Sequence, residues 1–119
     1  MGKIDAGAEK LLKAGEKALE IGILEIKVGG HIGDIGEAVE RFVNFQKFGV
    51  FKELVGHGVG TAVHEEPMVP NWGRKGKGSV IEEGMVLAFE PMITEGSPKI
   101  ILDNNLWTWK TKDKKRSVH

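Results

Sequence analysis

Cysteine is missing from all 119 residues of the chain. Its absence excludes disulfides and thiolate metal sites, and it suits a reducing compartment. Net charge is missing too. The 17 acidic and 17 basic residues balance, so no overall field favours DNA or a membrane surface. No apolar run approaches the roughly 20 residues that span a bilayer. Met1-Gly2-Lys3-Ile4-Asp5 lacks the apolar stretch of a secretory signal. A soluble, cytoplasmic protein with no membrane or DNA partner is expected, as one domain over residues 1–119 with a modest core.

Glycine is abundant instead. Its 17 copies make up about one residue in seven, against a usual share near 7%. They punctuate apolar segments rather than forming a tract, as in a domain whose backbone bends tightly around a site. Helix caps and hairpin turns are the plainer reading of many of them.

The apolar spacing predicts a helix capped by Asp5 and running to about Lys27, with Ala8, Leu11, Leu12, Ala18, Leu19, Ile23 and Ile26 inward. Gly15 and Gly22 weaken it by about 1 kcal/mol each relative to alanine, so packing must hold it. A second helix is expected from Asp34 to about residue 48, with Asp34 as its cap and Glu37 completing a capping box. Its inward positions read as Ile35, Ala38, Val39, Phe42 and Phe45. Strands follow from about 50 to 111: Val50–Val55, Val86–Ile93 interrupted by Pro91, and a hairpin turning at Asp103-Asn104-Asn105. Two helices packed on an antiparallel sheet is an α+β arrangement. The basic stretch Lys110–Arg116 reads as a solvated, frayed end.

Chemistry concentrates in three places. Gly56-His57-Gly58-Val59-Gly60 sets an imidazole between glycines, where no neighbouring side chain shields it and the backbone can bend sharply. Neutral imidazole is a common ligand for zinc, cobalt, manganese or iron, and a structural histidine reads equally well. His64 follows seven positions later through glycine, which excludes one helix face and the HExxH type of site. Beside Glu65-Glu66 it could be a surface histidine paired with a carboxylate. Glu90 stands in the apolar run Val86-Leu87-Ala88-Phe89-Glu90-Pro91-Met92. A carboxylate there either faces outward from an edge or is buried, and burial requires a partner or a metal. Lys99 is the sole nearby candidate partner in sequence.

The order Gly-His-Gly-Val-Gly, His-Glu-Glu-Pro at 64–67, Val-Pro-Asn-Trp-Gly at 69–73 and Glu-Gly-Met-Val-Leu-Ala-Phe-Glu-Pro-Met at 83–92 is specific. With Asn105-Leu106-Trp107-Thr108-Trp109-Lys110-Thr111-Lys112-Asp113, it resembles the bacterial-type methionine aminopeptidase family over nearly the whole chain. The resemblance implies the pita-bread fold, two similar halves of paired helices and antiparallel strands, of which this chain matches the C-terminal half. It implies hydrolytic removal of N-terminal methionine from nascent proteins, dependent on a pair of divalent cations (Co, Mn, Fe or Zn). Carried over by motif, His57 and Glu90 are metal ligands, and Glu90 also matches the proposed general base. His64 matches the histidine that contacts the scissile amide. Val63 and Trp107 match positions lining the methionine pocket, with Val63 replacing a commoner aromatic.

The resemblance also marks departures. The family's two aspartate ligands precede the segment matched by residues 1–5, and its last glutamate ligand follows the segment matched by Ser117-Val118-His119. Of the family's metal ligands, only His57 and Glu90 have counterparts here, so an incomplete site and no activity of the chain alone are expected. The implied partners are the N-terminus of a nascent peptide, a complementing N-terminal half or a second copy of the chain, and a ribosome contact through Arg74, Lys75, Lys77 and the basic tail. Solvated loop lysines are the plainer reading of that last group. A non-catalytic, self-associating half-domain or interaction module is the alternative function.

Overall fold

In the computed structural model, which describes residues 2–119, two helices lie against short antiparallel strands. The first, α1 (Ala6–Glu25), starts where the Asp5 carboxylate accepts the Ala8 amide proton at 2.9 Å, as the sequence predicts. The second, α2 (Ile32–Phe45), begins earlier than expected. His31 takes the N-cap position, and Asp34 lies in the first turn with its carboxylate accepting the His31 amide at 2.9 Å. The carboxylate expected from Glu37 is thus supplied three positions earlier. A second first-turn bond, from Gly76 N–H to Asp34 at 2.6 Å, ties the 73–77 loop to the same side chain.

Buried stripes differ from the predicted ones. On α1 the covered side is Leu11, Ala14, Gly15, Ala18 and Gly22, whereas Leu12, Leu19 and Ile23 are exposed. Small residues win this face because neighbours come very close: a Cβ on Gly22 would run into the Phe89 ring. On α2 the stripe is Ile32, Ile35, Val39 and Val43, so Val43 is fully buried and Phe45, two residues on and across the helix, is 82% exposed. Ala38 and Phe42 are half-buried.

Eight short strands follow: β1 (Gly49–Val50), β2 (Gly56–Gly58), β3 (Glu65–Val69), β4 (Leu87–Ala88), β5 (Ile93–Thr94), β6 (Ile100–Leu102), β7 (Trp109–Thr111) and β8 (Ser117–Val118). They form antiparallel sheets ordered β1-β5-β8 and β3-β2-β4, plus the hairpin β6-β7. The expected strand 50–55 is reduced to Gly49–Val50. The expected strand 86–93 is two strands in different sheets, with Phe89–Met92 crossing between them. Pro91, which has no N–H to give a ladder, lies in that crossing.

Two apolar clusters result. Leu11, Ala14, Ala18, Val39, Val43, Val50 and Ile93 seat the helices on the first sheet; Ile32, Ile35, Val69 and Ile81 seat α2 on the second. Phe89 packs against both, so the residue next to Glu90 is wedged at their junction.

The basic end is not frayed. Arg116 pairs with Glu95 at 2.9 Å and Asp5 at 2.6 Å, and β8 pairs with β5. One guanidinium fork reaching two carboxylates fixes this segment to the α1 N-terminus.

Candidate metal centre

Strand β2 carries His57 between β3 and β4, opposite Met68 on one side and Ala88 on the other. The flanking glycines serve close approach rather than a sharp bend. A Cβ on Gly56 would strike the Ala88 carbonyl oxygen, and one on Gly58 the Glu66 carbonyl oxygen. The ladder closes tightly around His57 because its neighbours have no side chains.

That closeness also sets the ring's chemistry. His57 Nδ1 lies 2.8 Å from the Gly58 carbonyl oxygen. A carbonyl only accepts, so Nδ1 carries the proton, and Nε2 of the neutral ring presents a lone pair. Nε2 stands 3.4 Å from Glu90 Oε1, with the His57 side chain 15% and the Glu90 side chain 31% exposed. In the neutral ring two acceptors face each other across this gap, an arrangement that a cation or a proton between them relieves.

Glu90 is fixed from its backbone. The fully buried Asn71 donates from Nδ2 to the Glu90 carbonyl at 2.6 Å, while Asn71 Oδ1 has no hydrogen-bond partner among the described residues. The partners of the Glu90 carboxylate are His57 and, at 3.3 Å, His119 Nε2; the expected candidate Lys99 is not among them. Sequence reading missed Asn71 and His119 as site residues. Neither carries a local signal, since one lies in a loop and the other just past the stretch expected to fray.

His64 arrives from the loop after β2. Its ring centroid lies 4.0 Å from that of His57, with the planes tilted by 44°. Glu65 anchors this loop, accepting from Ala62 N–H at 3.0 Å and Thr61 Oγ1 at 2.8 Å; those bonds hold its carboxyl below the ordinary range. The expected pairing of His64 with a neighbouring carboxylate is thus not where Glu65 is used. Val63, in the same loop, is 74% exposed, and Trp107, between β6 and β7, is 85% exposed. Arg74, Lys75 and Lys77 are exposed on the loop that α2 clamps.

His57, His64, Glu90 and His119 thus converge, from three separated stretches of chain. Among the described residues no group of three His, Cys, Asp or Glu side chains is arranged to hold a metal ion. The pair His57 and Glu90 fits a divalent cation as two donors of the right kind, one imidazole nitrogen and one carboxylate. No described helix is long and apolar enough to cross a membrane.

The chain is similar to known proteins over nearly its whole length. The profile of metallopeptidase family M24 matches residues 1–111. Methionine aminopeptidase A of Synechocystis is 44% identical over 111 residues, which cover 93% of this chain and 44% of that protein. Methionine aminopeptidase of Clostridium perfringens is 40% identical over 119 residues, covering all of this chain and 48% of its own length. A crystal structure of methionine aminopeptidase from Thermotoga maritima superposes with a TM-score of 0.95 at 37% identity, covering 98% of this chain and 47% of that one. The chain therefore spans about half the length of the relatives it matches. Two helices on antiparallel strands, as in half of the pita-bread fold, is the architecture observed.

Proposed function

The chain belongs to metallopeptidase family M24, and from that premise we propose that it supplies part of the site of a metal-dependent methionine aminopeptidase, with His57 and Glu90 as cation donors. The single observation behind this is the 2.8 Å contact of His57 Nδ1 with the Gly58 carbonyl, beside an Nε2 that faces Glu90. The Nδ1 proton is committed to Gly58, which leaves the Nε2 lone pair facing a carboxylate. His57 and Glu90 would hold a divalent cation, which when bound would supply Lewis-acid activation of water and of a peptide carbonyl.

The chain's own residues have distinct tasks. Glu90 is fixed at its backbone by Asn71 and bears the carboxylate that takes up a proton from the attacking water. His64, tilted against the His57 ring, brings a ring N–H donor to the carbonyl oxygen of the scissile bond. Val63 and Trp107 offer exposed apolar surface to the methionine side chain of a nascent peptide. The remaining donors and pocket wall come from the counterpart of the half that the relatives have beyond this match. This reading places the reaction in the cytoplasm, on newly made proteins.

The test is a graft. The chain replaces the matching half of the Clostridium perfringens enzyme, and release of methionine from a Met-peptide is measured with Co, Mn, Fe or Zn. Cation-dependent release that disappears with His57→Ala or Glu90→Gln supports the reading. A folded graft without turnover contradicts it.

A second reading, self-association, is favoured by one observation. Leu12, Leu19 and Ile23 form an exposed apolar stripe along α1. Light scattering on the chain, and on Leu19→Glu, tests it: a dimer dispersed by the added charge supports it, and a monomer at all concentrations contradicts it.

A further inference from the structure

We propose that His119 is a positioning residue for Glu90, holding its outer carboxylate oxygen so that the inner one faces His57; this rests on the cation-site reading above. His119 Nε2 lies 3.3 Å from Glu90 Oε2, and His57 Nε2 lies 3.4 Å from Glu90 Oε1. A carboxylate only accepts, so His119 meets it with a protonated nitrogen. His57 as a neutral ring cannot, because its proton faces Gly58. Glu90 therefore has an imidazole within ion-pair distance of each oxygen, and of the two only His119 has a ring proton free to turn toward it.

Isolated surface pairs contribute little when two long side chains must find each other. Here the backbones on both sides are already set. Asn71 holds the Glu90 carbonyl. On the other side, Val118 pairs with Ile93, packs into the first apolar cluster, and leaves no room for a Cβ on Gly15 of α1. Arg116, tied to Glu95 and Asp5, closes the segment from the other end. These restraints bring the His119 imidazole to Glu90 with few side-chain torsions left to fix. His119 is 63% exposed, so replacing it leaves the fold in place.

The experiment titrates Co2+ into the chain and follows the visible absorption of the bound ion in wild type, His119→Ala, His119→Gln and His57→Ala. Losing such an orienting partner typically weakens metal affinity by about 10–100-fold, and that is the loss expected for His119→Ala. Glutamine, whose side-chain N–H can donate to the same oxygen, should restore most of it. Wild-type affinity in His119→Ala overturns the proposal, and so does a Gln variant as weak as Ala, which would make the imidazole itself a ligand. Should wild type and His57→Ala titrate alike, the cation reading fails separately. The proposal is then decided in the metal-free chain: the Glu90 side-chain carboxyl carbon must shift in His119→Ala, and an unmoved resonance overturns it.

Discussion

The Asn71 side-chain amide donates to the main-chain carbonyl of Glu90 at 2.6 Å, bridging the loop after β3 to the crossing between β4 and β5. Asn71 is fully buried, and its oxygen has no partner among the described residues, so this one bond is its evident use. Replacing Asn71 by leucine keeps the branched outline and leaves the Glu90 carbonyl unpaired. The expected cost is about 1–3 kcal/mol in denaturant unfolding. A Leu variant as stable as wild type would remove Asn71 from the account of the site.

Adding one methyl group beside His57 should do more harm than deleting one in most of the chain. Gly56→Ala and Gly58→Ala each push a Cβ into a carbonyl oxygen of a neighbouring strand, Ala88 or Glu66. Overpacking of this kind costs about 1–3 kcal/mol, and backbone atoms yield less readily than flexible side chains. Both variants should unfold at lower denaturant with an unchanged m-value. Gly76, which has open space where a Cβ would stand but φ +71, serves as a contrast: its alanine variant is strained only locally.

On α2 the predicted and observed inner faces differ, and mutation separates them. Val43→Ala should cost about 2 kcal/mol, because Val43 is fully buried. Phe45→Ala should stay within about 0.5 kcal/mol, since the ring is 82% exposed. The reverse order of effects would place the helix in the register expected from sequence.

Acid should destabilise the chain through Asp34 and Asp5. Backbone N–H groups of His31 and Gly76 hold the Asp34 carboxyl below its ordinary value of 3.8. The Arg116 guanidinium and the Ala8 N–H do the same for Asp5. A folded value lower than the unfolded one means that the unfolded chain binds protons first. The contribution is therefore complete above the unfolded value and is lost as pH falls through the folded one. Unfolding temperature measured against pH should hold level near neutrality and fall below pH of about 4. Asp34→Asn should show a shallower fall. An equal slope in that variant would remove Asp34 as a cause.

Much of the architecture was legible in the chain, for identifiable reasons. Asp5 announces α1 because a short carboxylate beside an apolar-periodic run has one obvious use. The hairpin turn at Asp103-Asn104-Asn105 is equally local, and the ordered glycine, histidine and glutamate motifs point to the family. What was not legible depends on contacts across the chain. The inward face of α1 is decided by Phe89 seating on Gly22 rather than by its larger apolar residues. The segment 86–93 reads as one strand until Pro91 and the two sheets divide it. Arg116 looks like part of a solvated lysine run until Asp5, from the other end of the chain, meets it. At the site, His57 and Glu90 stood out by type and setting, whereas the bond from Asn71 and the approach of His119 exist only once β3, β5 and β8 are assembled.

His57 and Glu90 are proposed as donors to one divalent cation. Visible absorption of Co2+ added to the chain tests that assignment directly, with His57→Ala and Glu90→Gln measured alongside. A saturable band in the wild-type chain should weaken in each variant, because each loses one of the two atoms that face each other across 3.4 Å. A band of the same intensity and midpoint in all three proteins would contradict it.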